Sequence, residues 1–178
     1  TRKQIRSEIG PDYESIMDSM RELLPRDGIV VRDATVPAYL WGNRLMPILS
    51  PRTSLNPTSA AIGPALPLAI GAAIGSGKKT AVIQGDGGFM LNIGELATAV
   101  QYNVPVVTCV FNDGGYGVLR SIEGRTFEGR QFGVELATPD FAMVAQGMGM
   151  RAEHVDSAAS FREAFGRGLA HDGPYLLD

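Results

Sequence analysis

The chain has 178 residues, 44% hydrophobic and 20% charged, a balance that suits one globular domain with a substantial core. A net charge of −3 with no long basic run argues against nucleic acid as a main partner. The single cysteine, Cys109, excludes an internal disulfide, and the longest apolar run, residues 60–75, is too short and too rich in Gly and Pro for a membrane span.

In chain order, residues 1–10 are polar and basic and read as a linker or the tail of an upstream element, with one domain expected over 11–178. No signal-peptide pattern opens the chain, so the expected location is cytoplasmic. Pro11 and Asp12 open a helix to Leu24 whose apolar stripe is Ile16, Met20 and Leu23. A turn at 25–28 leads into a short strand at 29–32, which ends in Asp33-Ala34-Thr35. Tyr39 and Trp41 fall on a short helix after Pro37, where they suit packing or a subunit contact. Thr35 would cap that helix.

Pro47, Pro51 and Pro57 break the next stretch into irregular structure. Residues 59–67 then lead into a helix over 69–75, whose small residues allow close packing on a sheet. Gly75-Ser76-Gly77-Lys78-Lys79 is not a phosphate loop. That pattern needs Gly where Ala72 stands and Ser or Thr where Lys79 stands, and the stretch reads as a helix C-cap and turn.

The most informative stretch is 80–119. A strand at 80–84 enters the turn Gly85-Asp86-Gly87-Gly88, and a β-rich run at 104–111 enters a second turn, Asn112-Asp113-Gly114-Gly115-Tyr116-Gly117. A helix between them is expected to start with a capping box from Asn92 to Glu95. Strand, helix and strand in this order form a βαβ crossover with parallel strands, so both turns fall on the carboxyl edge of one sheet, where such sheets bind ligands. Beyond it, 118–138 is polar and glycine-rich with Arg120, Arg125 and Arg130, and reads either as an active-site lid or as a surface loop. A helix from Pro139 and Asp140 to Met148, a strand at 151–155, a helix at 157–171 and a last strand at 174–177 complete the domain. His154 and His171 read as solvated or structural. The fold class is α/β, a doubly wound and mainly parallel sheet with helices on both faces.

The two turns carry the chemistry. Glycines allow backbone N–H groups to approach a phosphate, but the Asp86 carboxylate would repel it. A divalent cation removes that conflict, and Asp113 offers a second hard oxygen ligand. Two carboxylates, a carbonyl and phosphate oxygens suit Mg²⁺ or Ca²⁺ rather than zinc.

Gly85-Asp86-Gly87 followed, one βα unit later, by Asn112-Asp113 resembles the signature of thiamine diphosphate enzymes. The wider run looks like the diphosphate-binding domain of the acetolactate synthase, benzoylformate decarboxylase and pyruvate decarboxylase group, from about Pro25 to the last residue. The resemblance implies thiamine diphosphate and Mg²⁺ as cofactors. Asp86, Asp113 and the Gly115 carbonyl would hold the metal, and Gly85, Gly87, Gly88, Tyr116, Gly117 and the Thr35 hydroxyl would complete the cofactor site. Ile62 matches the aliphatic residue that bends the thiamine. Ala60 matches the residue whose carbonyl accepts from the 4′-amino group. Asp113 stands where many members have asparagine, and Ala60 where many have glycine.

The resemblance further implies a lyase or transferase acting on 2-oxo acids by decarboxylation, with or without carboligation. The glutamate that activates the aminopyrimidine comes in this family from a pyrimidine-binding domain, usually on another subunit. No segment here reads as that domain, so no catalytic residue is assigned. The chain is expected to be inactive alone, a fragment or one subunit of a split enzyme, working in a homo-oligomer. One rival is the β-subunit of a 2-oxoacid:ferredoxin oxidoreductase, although Cys109 alone offers no iron–sulfur ligand set. Another is a non-catalytic module that binds a phosphorylated ligand or scaffolds an assembly.

Overall fold

A computed structural model describes residues 2–178. Its strands are β1 (Ile29–Arg32), β2 (Ser54–Leu55), β3 (Thr80–Gly85), β4 (Val106–Phe111), β5 (Arg151–Glu153) and β6 (Tyr175–Leu177). They form one sheet in the order β2-β1-β3-β4-β6-β5, and every pairing is parallel. The helices are α1 (Arg2–Ile9), α2 (Pro11–Leu23), α3 (Ala65–Ser76), α4 (Asp86–Leu91), α5 (Glu95–Gln101), α6 (Gly117–Thr126), α7 (Phe141–Gly147) and α8 (Ala158–Ala170), with a π-helical turn at Ala38–Gly42.

The central strands β3 and β4 are buried on both faces, which is why they read as near-continuous apolar runs. Ala81, Ile83, Val107 and Cys109 point to one face and pack with Met17 and Met20 of α2, Trp41 of the π-turn, and Phe161 and Phe165 of α8. Val82, Val106 and Val110 point to the other face and pack with Leu66, Ala69 and Ala73 of α3, Leu96 of α5 and Phe141 of α7. The sheet is therefore doubly wound, as expected. Burial pushes the Cys109 thiol pKa far above its ordinary value, in keeping with a core residue. Among the described residues, no helix is long and apolar enough to cross a membrane.

The structure departs from or refines the sequence-based expectation in several places. Residues 2–9, expected as a linker or the tail of an upstream element, form helix α1, whose Ile9 is buried, while Arg6 pairs with Glu14 at 2.5 Å and Asp18 at 3.0 Å. The stretch after the second turn opens as α6 rather than a loop. The capping box from Asn92 to Glu95 does not form. Helix α4 starts at Asp86 directly after β3, Asn92 ends it, and α5 begins behind Gly94 with no side-chain cap. Finally, α3 starts at Ala65, because Pro67 sits in its first turn, where the missing N–H has no intrahelical role.

β1 has β2 on one side and β3 on the other, so the chain reverses its winding direction there. The crevice beyond the carboxyl ends of β1 and β3 is the topological switch point.

Candidate functional site

A cavity of about 940 Å³ opens at that switch point and extends along the carboxyl edge of the sheet. It is within the range of small-molecule and cofactor sites. Thr35, Ala60, Ile62, Gly85, Asp86, Gly87, Gly88, Asp113, Gly115, Tyr116 and Gly117 all line it. The structure thus brings together every site residue expected from the sequence, from three strand ends and the loop before α3.

Asp86 opens α4 and is 1% exposed. Its Oδ2 accepts the Gly115 N–H at 2.8 Å, tying the first turn to the second. Burial pushes its carboxyl pKa up. The Gly87 amide opposes that shift and the nearby Asp113 charge adds to it. A buried acid with a perturbed pKa in a cleft is a candidate functional group.

The second turn is clasped by an antiparallel bridge between Gly115 and Glu135. Its bonds run from the Tyr116 N–H to the Val134 carbonyl and from the Leu136 N–H to the Gly114 carbonyl, each 2.8 Å. The Gly115 carbonyl takes part in neither bond. A Cβ on Gly115 would collide with the Val134 carbonyl and the Arg120 guanidinium, and one on Gly87 would reach 2.5 Å from the Tyr116 ring. Both turns need glycine because a neighbour lies against their backbone. Asp113 is half exposed and meets Arg120 at 3.2 Å, while Arg120 also meets Glu135 at 2.8 Å.

Sequence reasoning missed Asp33 and Gln84, both buried. The Asp33 carboxylate accepts from the Ala34 N–H at 2.7 Å, the Gln84 Nε2 at 2.7 Å and the Gly63 N–H at 2.9 Å. Gln84 Nε2 also donates to the Gly63 carbonyl at 3.0 Å. Burial pushes the Asp33 pKa up against these hydrogen bonds. The network pins the loop that carries Ala60 and Ile62 to the ends of β1 and β3. One signal was available: a glutamine at the end of an otherwise apolar strand has to find polar partners.

In that loop Ser59 and Ala60 have φ of +56° and +53°, in the left-handed region where glycine is favoured. Ile62 is 39% exposed, facing the cavity beside Gly88. At the far rim, His154 sits 3.1 Å from Asp140 and 3.6 Å from Asp178. Those three could share a cation, but Asp140 already caps α7 through the Met143 N–H at 2.7 Å and Asp178 accepts from Asn112 at 3.1 Å. His171 stacks edge-on with Tyr175 away from the cavity.

Residues 37–178 match the family model described as thiamine pyrophosphate enzyme, C-terminal TPP binding domain. The chain belongs to this family. It is 34% identical over 142 residues to a probable acetolactate synthase large subunit of Methanococcus aeolicus, covering 78% of this chain and 24% of that protein. It is 30% identical over 166 residues to benzoylformate decarboxylase of Pseudomonas aeruginosa, covering 93% and 31%. Among solved structures it is similar to the thiamine diphosphate-dependent 4-hydroxybenzoylformate decarboxylase of Rhodococcus jostii RHA1. The TM-score there is 0.86 and the identity 31%, over 94% of this chain and 32% of that one.

This TPP-binding domain thus spans about a quarter to a third of the length of the curated relatives it matches. The cavity at its switch point carries an acid on each glycine turn, Asp86 and Asp113.

Proposed function

We propose that the domain holds the diphosphate of thiamine diphosphate through Mg²⁺, as part of a 2-oxo acid decarboxylase or carboligase of the acetolactate synthase kind. The observation that carries this reading is the buried Asp86 carboxylate, aimed into a cofactor-sized cavity beside Asp113 and the unengaged Gly115 carbonyl. The donors are all hard oxygens, which favours Mg²⁺ over a soft metal. When bound, the cofactor supplies the carbanion chemistry at its C2.

In this reading Asp86, Asp113 and the Gly115 carbonyl hold the metal. Thr35 and the first-turn backbone at Gly85, Gly87 and Gly88 receive the diphosphate. Tyr116 packs over Gly87 and, with Gly117, closes the wall. Ile62 would support the thiamine, and the Ala60 carbonyl would accept from its amino group. Asp33 and Gln84 are positioning residues, since they fix the loop that presents Ile62. No glutamate lines the cavity among the described residues. That supports a pyrimidine-binding domain, contributed by another subunit of a homo-oligomer, as the source of the aminopyrimidine's activating acid. A cytoplasmic enzyme with a small 2-oxo acid substrate fits this reading.

Isothermal titration of thiamine diphosphate with and without Mg²⁺ tests the anchoring. Binding that depends on the metal is the expected result, and equal affinity in EDTA would refute it. Turnover restored by adding the pyrimidine-binding domain separates an enzyme from a non-catalytic phospholigand module.

A further inference from the structure

The cofactor cavity is lined by seven aspartates and, among the described residues, by no lysine or arginine. A cation stands behind its wall. Arg120, in the first turn of α6, lays its guanidinium against Gly115, where a Cβ would collide with it. Nη1 donates to Asp113 Oδ2 at 3.2 Å and Nη2 to the Asp113 carbonyl at 3.4 Å. Nε and Nη2 also donate to the two Glu135 carboxylate oxygens, at 2.8 and 3.1 Å.

The Glu135 side chain is 72% exposed and that of Arg120 25%. Water therefore screens Glu135 more than it screens Arg120, and part of the positive charge remains for the cavity side. The hydrogen bond to Glu135, with the charges of Asp113 and Asp86, raises the Arg120 pKa, so the group stays ionised. Asp113 Oδ2 is also packed against Gly117, where a Cβ would collide with it. Asp113 Oδ1 accepts no hydrogen bond among the described residues. Arg120 thus holds one oxygen of Asp113 and leaves the other free.

We propose that Arg120 is a positioning residue that makes the site select metal and diphosphate together over the metal alone. The inference rests on the reading of Asp86 and Asp113 as metal ligands. Two carboxylates on neighbouring turns would draw in a dication with or without a phosphate. A fixed positive charge in contact with Asp113 opposes a bare dication and attracts the diphosphate anion. It also pins Oδ2, so Asp113 has one oxygen to offer rather than a bidentate pair. A bare ion then finds a weakened carboxylate. A metal that arrives with diphosphate gains the guanidinium's attraction for the phosphate oxygens.

Two titrations on the whole chain test the proposal. Mn²⁺, a hard cation that takes the same oxygen donors, reports bare-metal affinity through its EPR signal. Calorimetry of thiamine diphosphate in saturating Mg²⁺ reports the pair. Arg120→Gln should tighten Mn²⁺ binding about threefold and weaken thiamine diphosphate binding about threefold. Arg120→Lys, which keeps the charge, should stay closer to the parent in both. Glu135→Gln removes the competing anion and should shift both affinities the other way, and it carries the test if Arg120→Gln does not fold. A purely structural clasp has no such signature, because a damaged turn binds both more weakly. Both affinities falling together, or neither moving, would overturn the role of Arg120. A parent chain that binds no thiamine diphosphate in Mg²⁺ would refute the anchoring itself, and this inference with it.

Discussion

The Asp33 carboxylate reaches across 30 residues to grip the backbone of Gly63, with both oxygens 2.9–3.0 Å from its N–H. That grip decides where the neighbouring Ile62 stands. Asp33→Ala would leave the buried donors of Gly63 and Gln84 without their acceptor. Each such donor costs roughly 1–3 kcal/mol, so a loss of about 3 kcal/mol is expected in urea unfolding. Thiamine diphosphate affinity should fall as well. A variant as stable as the parent would show that the network does not hold the loop.

The same carboxylate has a pH signature. Burial raises the folded-state pKa of Asp33 above its unfolded value, near about 3.9. The folded state therefore holds the proton more tightly. Its contribution to stability is fully present below the unfolded pKa and is lost as pH rises through the folded one. Asp33→Asn removes this titration. The stability of the parent minus that of Asp33→Asn should fall as pH rises from about 4 and level off above the folded pKa. A difference that rises with pH over that window would reverse the assignment.

Ala60 offers the opposite kind of test. Its φ of +53° costs a residue with a Cβ roughly 1–2 kcal/mol, and glycine removes that cost at an entropic penalty of about 0.5–1 kcal/mol. Ala60→Gly should therefore raise Tm by about 2 °C. Ala73→Gly, inside α3, should instead lose about 1 kcal/mol. If both substitutions destabilise equally, Ala60 is unstrained.

The parts that were legible in the sequence are those whose cause is local. β3 and β4 read as strands because both faces are buried, and the two turns stood out because glycine and aspartate have no core role there. Helix α1 was not legible, since what holds it is tertiary: Ile9 joins the Trp41 cluster and Arg6 reaches Glu14 and Asp18. Helix α6 carries Val118, Leu119 and Ile122 at helical spacing but buries none of them, and its glycines and charges read as a loop. β2 is two residues long and exists through its pairing with β1. The bond from Gln84 to Asp33 spans 51 residues, and no spacing rule announces it. The helix after the first turn was misplaced because Asn92 and Glu95 imitate a cap, whereas α4 starts directly from β3 at Asp86.

Asp113 decides between a metal site and a surface ion pair. In the structure it bonds Arg120 at 3.2 Å, and Arg120 is held from the other side by Glu135. If Asp113 is a metal ligand, Mg²⁺ competes with Arg120 for it, and Arg120 keeps Glu135 as an alternative partner. Asp113→Asn retains an oxygen ligand and weakens the hold of Arg120, so metal-dependent binding of thiamine diphosphate should survive. Asp113→Ala removes the ligand and should weaken that binding at least tenfold, about 1.4 kcal/mol. If Asp113 serves only to anchor Arg120, both variants lose the ion pair and should bind the cofactor alike. Parallel titrations in Mg²⁺ read the difference, and thermal melts of the same proteins separate lost affinity from lost folding. Equal, parent-like affinities for Asn and Ala would remove Asp113 from the metal site and leave Asp86 and the Gly115 carbonyl to hold it.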